Sequence, residues 1–268
     1  MGQANIKTKL KQAALNSGIR TNQLRPSNAF NSMFKKVAAQ FGYELRCFDL
    51  NYPIVKPIDT NKVEILRDEE FHRSVLACRN DTNLDDARLA NIWAYAKLSG
   101  PGSMVEIGSW HGGGALHIAN ACPNRRIFVF DPFSDTRSFE TLDETLDSSF
   151  AFNQFTDTSE GYVRNLFASH NKKAEIVKGF FPASAVNVDL GEVAFCHLDV
   201  DVYDATKQSL YYLSSRLAKR SFILLDDYQR EAKGVDAAVD EFLKDHPRFR
   251  CFPLHPSQGL LFSLDLWD

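Results

Sequence analysis

The 268-residue chain contains few cysteines and no long apolar stretch. Its five cysteines are odd in number, widely spaced and never arranged as Cys-x-x-Cys. This pattern excludes a disulfide-stapled fold and a thiolate zinc site. No apolar run approaches the roughly 20 residues of a membrane span, and the N-terminal stretch lacks the apolar core of a signal peptide. We therefore expect a cytoplasmic protein without a transmembrane segment.

Excess charge of one sign is also small, because 31 basic and 34 acidic residues leave a net charge of −3. The distribution is uneven, since residues 1–80 hold 13 Lys/Arg but only 7 Asp/Glu. Such a basic region is typical either of solvated helix faces or of peripheral contact with an anionic carrier lipid. The chain has no arginine run and no alternation of aromatic and basic residues. We therefore expect no nucleic-acid partner.

The hydrophobic pattern changes along the chain. Residues 1–46 repeat apolar positions at helical spacing, which predicts a helical N-terminal extension before a loop that contains Pro53 and Pro57. A further helix is predicted over 84–98. From residue 104 onward, apolar runs of strand length alternate with segments long enough for crossover helices. These runs are 104–107, 127–130, 174–177, 193–198 and 222–225.

This alternation predicts an α/β fold with a doubly wound, Rossmann-like, mostly parallel sheet. Two last apolar runs, 249–254 and 259–264, lie on either side of a Pro-Ser-Gln turn and predict a C-terminal antiparallel hairpin. The expected domains are residues 1–80, a helical extension that caps the substrate, and residues 81–268, the α/β domain. In such a sheet, ligands bind at the carboxyl ends of the strands.

A glycine-rich loop, residues 108–114, follows the first strand of the α/β domain. Glycine lets the backbone approach a ligand closely, and the following helix N-terminus offers free N–H groups. Gly114 replaces the lysine of a phosphate loop, and Trp110 replaces a glycine of the dinucleotide fingerprint. Asp131, at the end of the second strand, can accept both hydrogens of a ribose diol. Loop, helix and acid together predict an adenosyl ligand.

Carboxylates follow two further strands. Asp199 ends the run 193–198, and Asp226 and Asp227 end the run 222–225. If the two strands are neighbours these acids converge, and clustered carboxylates resist ionisation unless a cation or a shared proton compensates them. Oxygen donors without clustered histidine or cysteine favour a hard divalent ion such as Mg²⁺.

Two residues beside these acids are assigned structural roles from the sequence. We expect Asp201 to cap the following helix or to face solvent. We expect His197, which lies inside an apolar run, to be a core histidine bonded to the backbone. Neither residue is assigned to the site.

In combination these motifs resemble the macrocin O-methyltransferase family over about residues 80–250. The resemblance rests on the glycine loop, on Asp131, on the two aspartate motifs and on the segment 234–242. It implies an S-adenosylmethionine-dependent, metal-dependent O-methyltransferase. The implied acceptor is a sugar hydroxyl of a glycan or a glycosylated natural product.

The resemblance also implies roles for individual positions. Asp199, Asp226 and Asp227 would bind Mg²⁺, and Asp199 would also be the catalytic base. Two positions depart from the family pattern: Gly114 stands where serine is usual, and the segment 179–185 lacks the usual Thr-Leu-Pro ending. The implied cofactor-binding residues are Glu106, Gly108, Ser109, Gly113, Gly114, Asp131 and Phe181.

Several alternatives stay open at this point. Val202 stands where a related catechol-type group places lysine, which favours a sugar acceptor over a phenol. The alternatives are a metal-dependent methyltransferase of a small phenol, a related hydroxylase, and a non-catalytic nucleoside-binding domain. The segment 134–161 either closes over the site or forms a surface excursion. An apolar face over residues 30–41 leads us to expect a homo-oligomer.

Overall fold

The structure, a computed structural model, describes residues 68–133, 139–229 and 232–266, together with the backbone of two strands nearer the N-terminus. The chain divides into two units, Met1–Val63 and Glu64–Asp268. In the first unit, strands β1 (Tyr43–Arg46) and β2 (Ile54–Pro57) pair antiparallel. The sequence predicts a loop over 54–57, and this prediction is wrong because Ile54 and Val55 favour a strand that ends at Pro57. Strand β1 also shows that the last residues of the predicted helical extension, 43–46, are not helical. The rest of that extension, with the apolar face of residues 30–41, lies outside the described residues.

A seven-stranded sheet forms the centre of the second unit, in the order β5-β4-β3-β6-β7-β9-β8. Strands β3 to β7 pair parallel, whereas β9 pairs antiparallel with both β7 and β8. The predicted doubly wound α/β sheet with a C-terminal antiparallel hairpin is therefore confirmed. The strands are β3 (Ser103–Ile107), β4 (Ile127–Asp131), β5 (Glu175–Lys178), β6 (Val193–Leu198), β7 (Leu217–Leu225), β8 (Phe249–Leu254) and β9 (Gln258–Ser263).

Helices cover both faces of this sheet. Residues of α1 to α4 share one buried cluster with Met104, and residues of α5 and α6 share another with Val105, its neighbour on β3. Successive strand residues point to opposite faces, so nearly continuous apolar strands are buried on both sides. The helices are α1 (Glu69–Cys78), α2 (Asp86–Leu98), α3 (Gly113–Ala121), α4 (Glu160–Ser169), α5 (Tyr203–Leu213) and α6 (Lys233–Asp245), with short 3₁₀ turns at Arg79–Asp81, Ala183–Ala185 and Leu264–Leu266.

Two of the helices bear on the predicted boundaries. Helix α1 precedes residue 80, yet its Phe71 and Val75 are buried in the same cluster as residues of α2 and α3. Helix α2 begins two residues later than predicted, because the Asp85 side chain accepts a hydrogen bond from the Arg88 backbone N–H at 2.9 Å. Arg88 is thereby placed in the first turn of α2. In the part of the chain that the structure describes, no helix is long and apolar enough to cross a membrane.

The parallel strands end at the same level, and this alignment positions the site. Ile107 is paired with Leu198, and Leu198 with Leu225. The next residue of each strand continues the ladder: the Asp199 N–H donates to Ile107, and the Asp226 N–H donates to Leu198, both at 2.9 Å. The glycine loop and the acids that follow β6 and β7 therefore meet at one edge of the sheet.

Candidate active site

The glycine loop leaves β3 through residues with left-handed backbone angles. Gly108 has φ 81° and Gly112 has φ 87°. A Cβ atom on Gly108 would lie 1.8 Å from the Asp199 carbonyl oxygen, so the first glycine is required by close packing against the end of β6. This contact brings the glycine loop and the acidic cluster side by side.

Asp131 holds the glycine loop in place through its carboxylate. Its Oδ2 accepts hydrogen bonds from the backbone N–H groups of Ser109 and Trp110, at 2.7 and 2.9 Å, and its Oδ1 accepts one from Phe133 at 2.8 Å. Burial raises the pKa of Asp131, although these three donors favour the carboxylate. Asp131, which is predicted to bind the ribose of the cofactor, is thus also the residue that orders the glycine loop.

Glu106 and His197 form a buried pair on adjacent strands. His197 Nδ1 lies 3.0 Å from Glu106 Oε1, and the side chains are 1% and 2% exposed. Because a carboxylate only accepts, Nδ1 must carry the proton and donate it. The prediction that His197 bonds to the backbone is wrong, because its β3 neighbour is a carboxylate and not an apolar residue.

The wall of an open cavity of about 220 Å³ includes residues that carry buried polar atoms without a hydrogen-bond partner. Glu106 Oε2 and Ser109 Oγ are buried, neither has a hydrogen-bond partner, and both residues line the cavity. Buried polar atoms are nearly always satisfied in folded proteins, so unpartnered ones beside a cavity point to a polar ligand. These atoms therefore fit the charged amino-acid end of an S-adenosylmethionine molecule.

The structure brings six of the seven predicted cofactor residues to this cavity. Gly113 is the exception: a Cβ there would lie 2.4 Å from the Asp81 carbonyl oxygen, outside the cavity lining. The role of Gly113 in cofactor binding stays a prediction, because Gly113 is not among the residues that line the cavity. The six residues that line the cavity are Glu106, Gly108, Ser109, Gly114, Asp131 and Phe181.

The three predicted metal ligands meet at the other end of the cavity. One carboxylate oxygen from each of Asp199, Asp226 and Asp227 lies within 4.8 Å of the others. Burial raises the pKa of Asp199 well above its usual range, and the negative charge of Asp226 adds to the effect. Burial likewise raises the pKa of Asp226. All carboxylates of such a cluster can ionise together only when a cation compensates them, and otherwise they share a proton.

Two residues outside the predicted set hold Asp226. Arg88 Nη1 lies 2.5 Å from Asp226 Oδ2, and Gln258 Nε2 lies 3.0 Å from Asp226 Oδ1. Burial disfavours the charged form of Arg88, but the Asp226 carboxylate outweighs it and raises the pKa of the guanidinium. Sequence patterns miss both residues, since neither lies near an aspartate motif along the chain.

Asp201 is a fourth acid of the cluster. It has a left-handed backbone, with φ 64°, and it lines the cavity. Burial, the charge of Asp227 and a hydrogen bond with that side chain raise the pKa of Asp201 well above its usual range. Asp201 does not cap α5, whose residue before the first turn is Val202 without a side-chain hydrogen bond. The expectation that Asp201 caps the helix is therefore wrong, and the residue is partly exposed where it lines the cavity.

The donor set fits a hard divalent cation. Asp199, Asp226 and Asp227 offer oxygen atoms only, the ligands that Mg²⁺ prefers. Arg88 supplies one positive charge to these carboxylates and to Asp201, so a negative charge remains for a cation to balance. The residues present can accordingly hold such an ion.

The segment between β4 and α4 lines the same cavity. Phe139 and Phe155 both contribute to its wall. Hydrogen bonds attach the segment on both sides: for example, the Asp157 carboxylate accepts from the Trp110 indole at 2.6 Å, and Asp147 accepts from the Tyr203 backbone N–H at 3.0 Å. Described residues 139–159 are thus tied to both the glycine loop and the start of α5.

A known protein family matches the part of the chain that contains this site. The model of the family described as Macrocin-O-methyltransferase (TylF) matches residues 84–248. The chain belongs to the macrocin O-methyltransferase family. The match to the family covers α2, the glycine loop and the acidic cluster, but it ends before β8 and β9.

Two curated proteins are similar to this family member. One is the 8-demethyl-8-(2,3-dimethoxy-alpha-L-rhamnosyl)-tetracenomycin-C 4'-O-methyltransferase of Streptomyces olivaceus, 24% identical over 143 residues that cover 49% of this chain and 55% of that protein. The other is the demethyldecarbamoylnovobiocin O-methyltransferase of Streptomyces niveus, 26% identical over 153 residues that cover 53% and 58%. The chain therefore spans little more than half the length of these relatives.

Solved structures share the fold. The O-methyltransferase NovP superposes with a TM-score of 0.60 at 22% identity, covering 68% of this chain and 81% of that one. The calicheamicin methyltransferase CalS11 gives a TM-score of 0.53 at 18% identity, covering 89% and 94%. An O-methyltransferase from Bacillus cereus, solved in complex with SAH, gives 0.51 at 12% identity, covering 75% and 93%. At these identities the likeness shows the fold alone.

Proposed function

We propose that the protein is an S-adenosylmethionine-dependent O-methyltransferase that acts on a sugar hydroxyl of a glycan or a glycosylated natural product, with Mg²⁺ or another hard divalent cation. One observation carries the proposal: Glu106, whose Oε2 is buried without a partner, and the three acids Asp199, Asp226 and Asp227 line one cavity. Family membership supports the reaction class, and the sugar-modifying relatives support the acceptor.

The cofactor and the cation supply complementary chemistry when bound: S-adenosylmethionine carries an electrophilic methyl group, and Mg²⁺ lowers the pKa of a coordinated hydroxyl. The residues of the chain bind the cofactor and orient it for the transfer. Glu106 and Ser109 would hold the amino-acid end of the cofactor, and Asp131 orders the glycine loop through its hydrogen bonds from Ser109 and Trp110. Orientation of this kind accounts for much of the rate in transfer reactions.

The proton of the acceptor hydroxyl needs a base within the cluster. We assign this role to a carboxylate oxygen of Asp199, which lies at the end of β6 directly beside Gly108. Asp201, two residues further on, lines the same cavity and is the alternative that an experiment must separate. Phe139 and Phe155 help to exclude water from the reacting groups.

The experiment is titration calorimetry with S-adenosylhomocysteine, with Mg²⁺ and after chelation, followed by methyl-transfer assays on a panel of sugar acceptors. We expect micromolar binding and transfer that stops when the cation is removed. Absence of S-adenosylhomocysteine binding in both conditions would refute the methyltransferase assignment. Binding with transfer to phenols instead of sugars would replace the acceptor class.

Asparagine variants test the base. Asp199→Asn should lower turnover by roughly 10²–10⁴-fold while S-adenosylhomocysteine binding is retained. Asp189→Asn, at a side chain that is 89% exposed, is the matched control and should behave as wild type. If Asp199→Asn keeps turnover and Asp201→Asn loses it, the base is Asp201.

We further propose that the enzyme works in the cytoplasm as a homo-oligomer and that its basic N-terminal region contacts an anionic carrier lipid. The charge of residues 1–80, 13 Lys/Arg against 7 Asp/Glu, supports the lipid contact. Flotation of the protein with anionic vesicles and light scattering in solution test the two interactions.

A further inference from the structure

The carboxylate of Asp226 is held at both of its oxygens. Gln258 Nε2 donates to Oδ1 at 3.0 Å, and Arg88 Nη1 donates to Oδ2 at 2.5 Å. The Asp226 residue is 3% exposed and Gln258 is 0% exposed, so water does not compete for these bonds. Two donors on opposite oxygens fix the plane of the carboxylate, and with it the direction of the remaining lone pairs.

The sheet register explains how Gln258 reaches this position. Leu225 is paired with Gly259 in the antiparallel ladder of β7 and β9. Asp226 directly follows Leu225 at the end of β7, and Gln258 directly precedes Gly259 in β9. The Asp226 and Gln258 side chains are therefore neighbours across the two strands. Gln258 lies beyond residue 248, where the match to the family ends.

The orientation of the Gln258 amide is itself determined. Asn91 Nδ2 donates to Gln258 Oε1 at 2.9 Å and to the carbonyl of His255 at 3.0 Å. The amide oxygen of Gln258 must therefore face Asn91, and its NH₂ group must face the Asp226 carboxylate, which accepts. Helix α2 thus contributes Arg88 to one oxygen of Asp226 directly and Asn91 to the other through Gln258.

We infer that Gln258 is a positioning residue that sets the divalent-cation affinity of the cluster by orienting Asp226; this inference rests on the cation site of the proposed function. Residues that hydrogen-bond to a metal-binding carboxylate fix its direction, and their loss typically lowers metal affinity or activity by 10–100-fold. Asn91 acts one step further out, because it orients only the amide.

The test is direct binding of Mg²⁺ by calorimetry, without turnover, on the full chain and on Gln258→Leu. We expect Gln258→Leu to bind Mg²⁺ about 10–100-fold more weakly and to bind S-adenosylhomocysteine as wild type does. Unchanged cofactor affinity separates loss of positioning from general damage to the fold. The matched control is Ser257→Ala, since Ser257 is equally buried and its hydroxyl has no partner.

Asn91→Ala keeps the inference testable if Gln258→Leu does not fold. This variant leaves Gln258 in place but releases its amide, so we expect a loss of Mg²⁺ affinity that is smaller than in Gln258→Leu. Equal Mg²⁺ affinities in wild type, Gln258→Leu and Asn91→Ala would overturn the inference alone. A wild-type protein that binds S-adenosylhomocysteine but no Mg²⁺ would overturn the cation site and this inference with it. A wild-type protein that binds neither would overturn the proposed function as a whole.

Discussion

His197 Nδ1 lies 3.0 Å from Glu106 Oε1, so a buried imidazole on β6 holds one oxygen of the β3 carboxylate, and the other oxygen is buried without a hydrogen-bond partner. Because the two strands are parallel neighbours, this contact connects the centre of the sheet to the cofactor end of the site. Four predictions follow from contacts of this kind.

Replacing His197 should destabilise the protein and weaken cofactor binding. In His197→Phe the Glu106 carboxylate stays buried without its donor, which should lower the free energy of unfolding by about 2–3 kcal/mol. Glu106→Gln preserves an acceptor for His197, so it should lose less stability but should bind S-adenosylhomocysteine more weakly. Urea unfolding and calorimetry on the two variants measure these effects. Equal stability of His197→Phe and wild type would contradict the role of the pair.

Replacing Arg88 should make stability depend on the divalent cation. The Arg88 side chain is 14% exposed and pairs with Asp226, which is 2% exposed, so Arg88→Met leaves the buried acids without their cation. In chelator the free energy of unfolding should fall by about 3 kcal/mol, and Mg²⁺ should restore much of it. Arg79→Met is the control, because Arg79 pairs with Asp86 at the surface and such pairs contribute about 1 kcal/mol or less. A loss in Arg88→Met that Mg²⁺ leaves unchanged would argue against a cation at this cluster.

Serine at position 114 should impair cofactor binding in this chain. A Cβ on Gly114 would lie 2.2 Å from Glu106 Oε1, the oxygen that His197 already holds. Gly114→Ser must therefore displace the carboxylate, and we expect S-adenosylhomocysteine affinity to fall by about tenfold, or about 1.4 kcal/mol. Gly161→Ala in α4 is the matched control, since a Cβ at Gly161 would lie 3.9 Å from the Ser159 hydroxyl and helical alanine is favoured. Tighter binding by Gly114→Ser would show that the family's usual serine is compatible with this site.

The buried His117 should give the protein a specific acid sensitivity. Burial lowers the pKa of His117 from 6.5 to about 4, and its Nε2–H donates to the Leu89 carbonyl while Nδ1 accepts from the Ser74 hydroxyl. Above pH 6.5 the His117 imidazole is neutral in both the folded and the unfolded protein, so His117 causes no loss in the free energy of unfolding there. As the pH falls towards 4, His117 is protonated in the unfolded chain but stays neutral in the folded protein. The free energy of unfolding therefore falls by about 3 kcal/mol.

Urea unfolding at pH 7 and at pH 4.5 measures this loss. His117→Gln can keep both hydrogen bonds without titrating, so its stability should fall less over this interval than that of wild type. His170→Gln removes an exposed histidine and should keep the wild-type pH dependence. If His117→Gln and wild type lost the same stability on acidification, another group would be responsible.

The sheet and the two ends of the site follow from local patterns. Apolar runs at strand length predict the parallel strands, and acids directly after the runs 193–198 and 222–225 predict the cluster, because parallel strands end at a common edge. Asp131 is predictable for the same reason. Each motif is local in the sequence, and the convergence of the acids needs in addition only that β6 and β7 are neighbours, as they are.

The contacts that support the site are not predictable in this way. Gln258 reaches Asp226 only through the register of β9 on β7, and Arg88 reaches it only through the packing of α2. The pairing of His197 with Glu106 likewise depends on which strands are neighbours. The one available signal is that a charged residue in an otherwise apolar strand, as at Glu106, requires a partner on an adjacent strand.

Strand β9 lies between β7 and β8 in the sheet although it follows both along the chain. During synthesis the ribosome therefore releases Asp226 and Asp227 while Gln258 is still some 30 residues behind. Until β9 emerges, the edge of β7 stays unpaired and open to other chains. Pairing of β9 with β7 therefore covers this edge and brings the second donor to Asp226 at the same time.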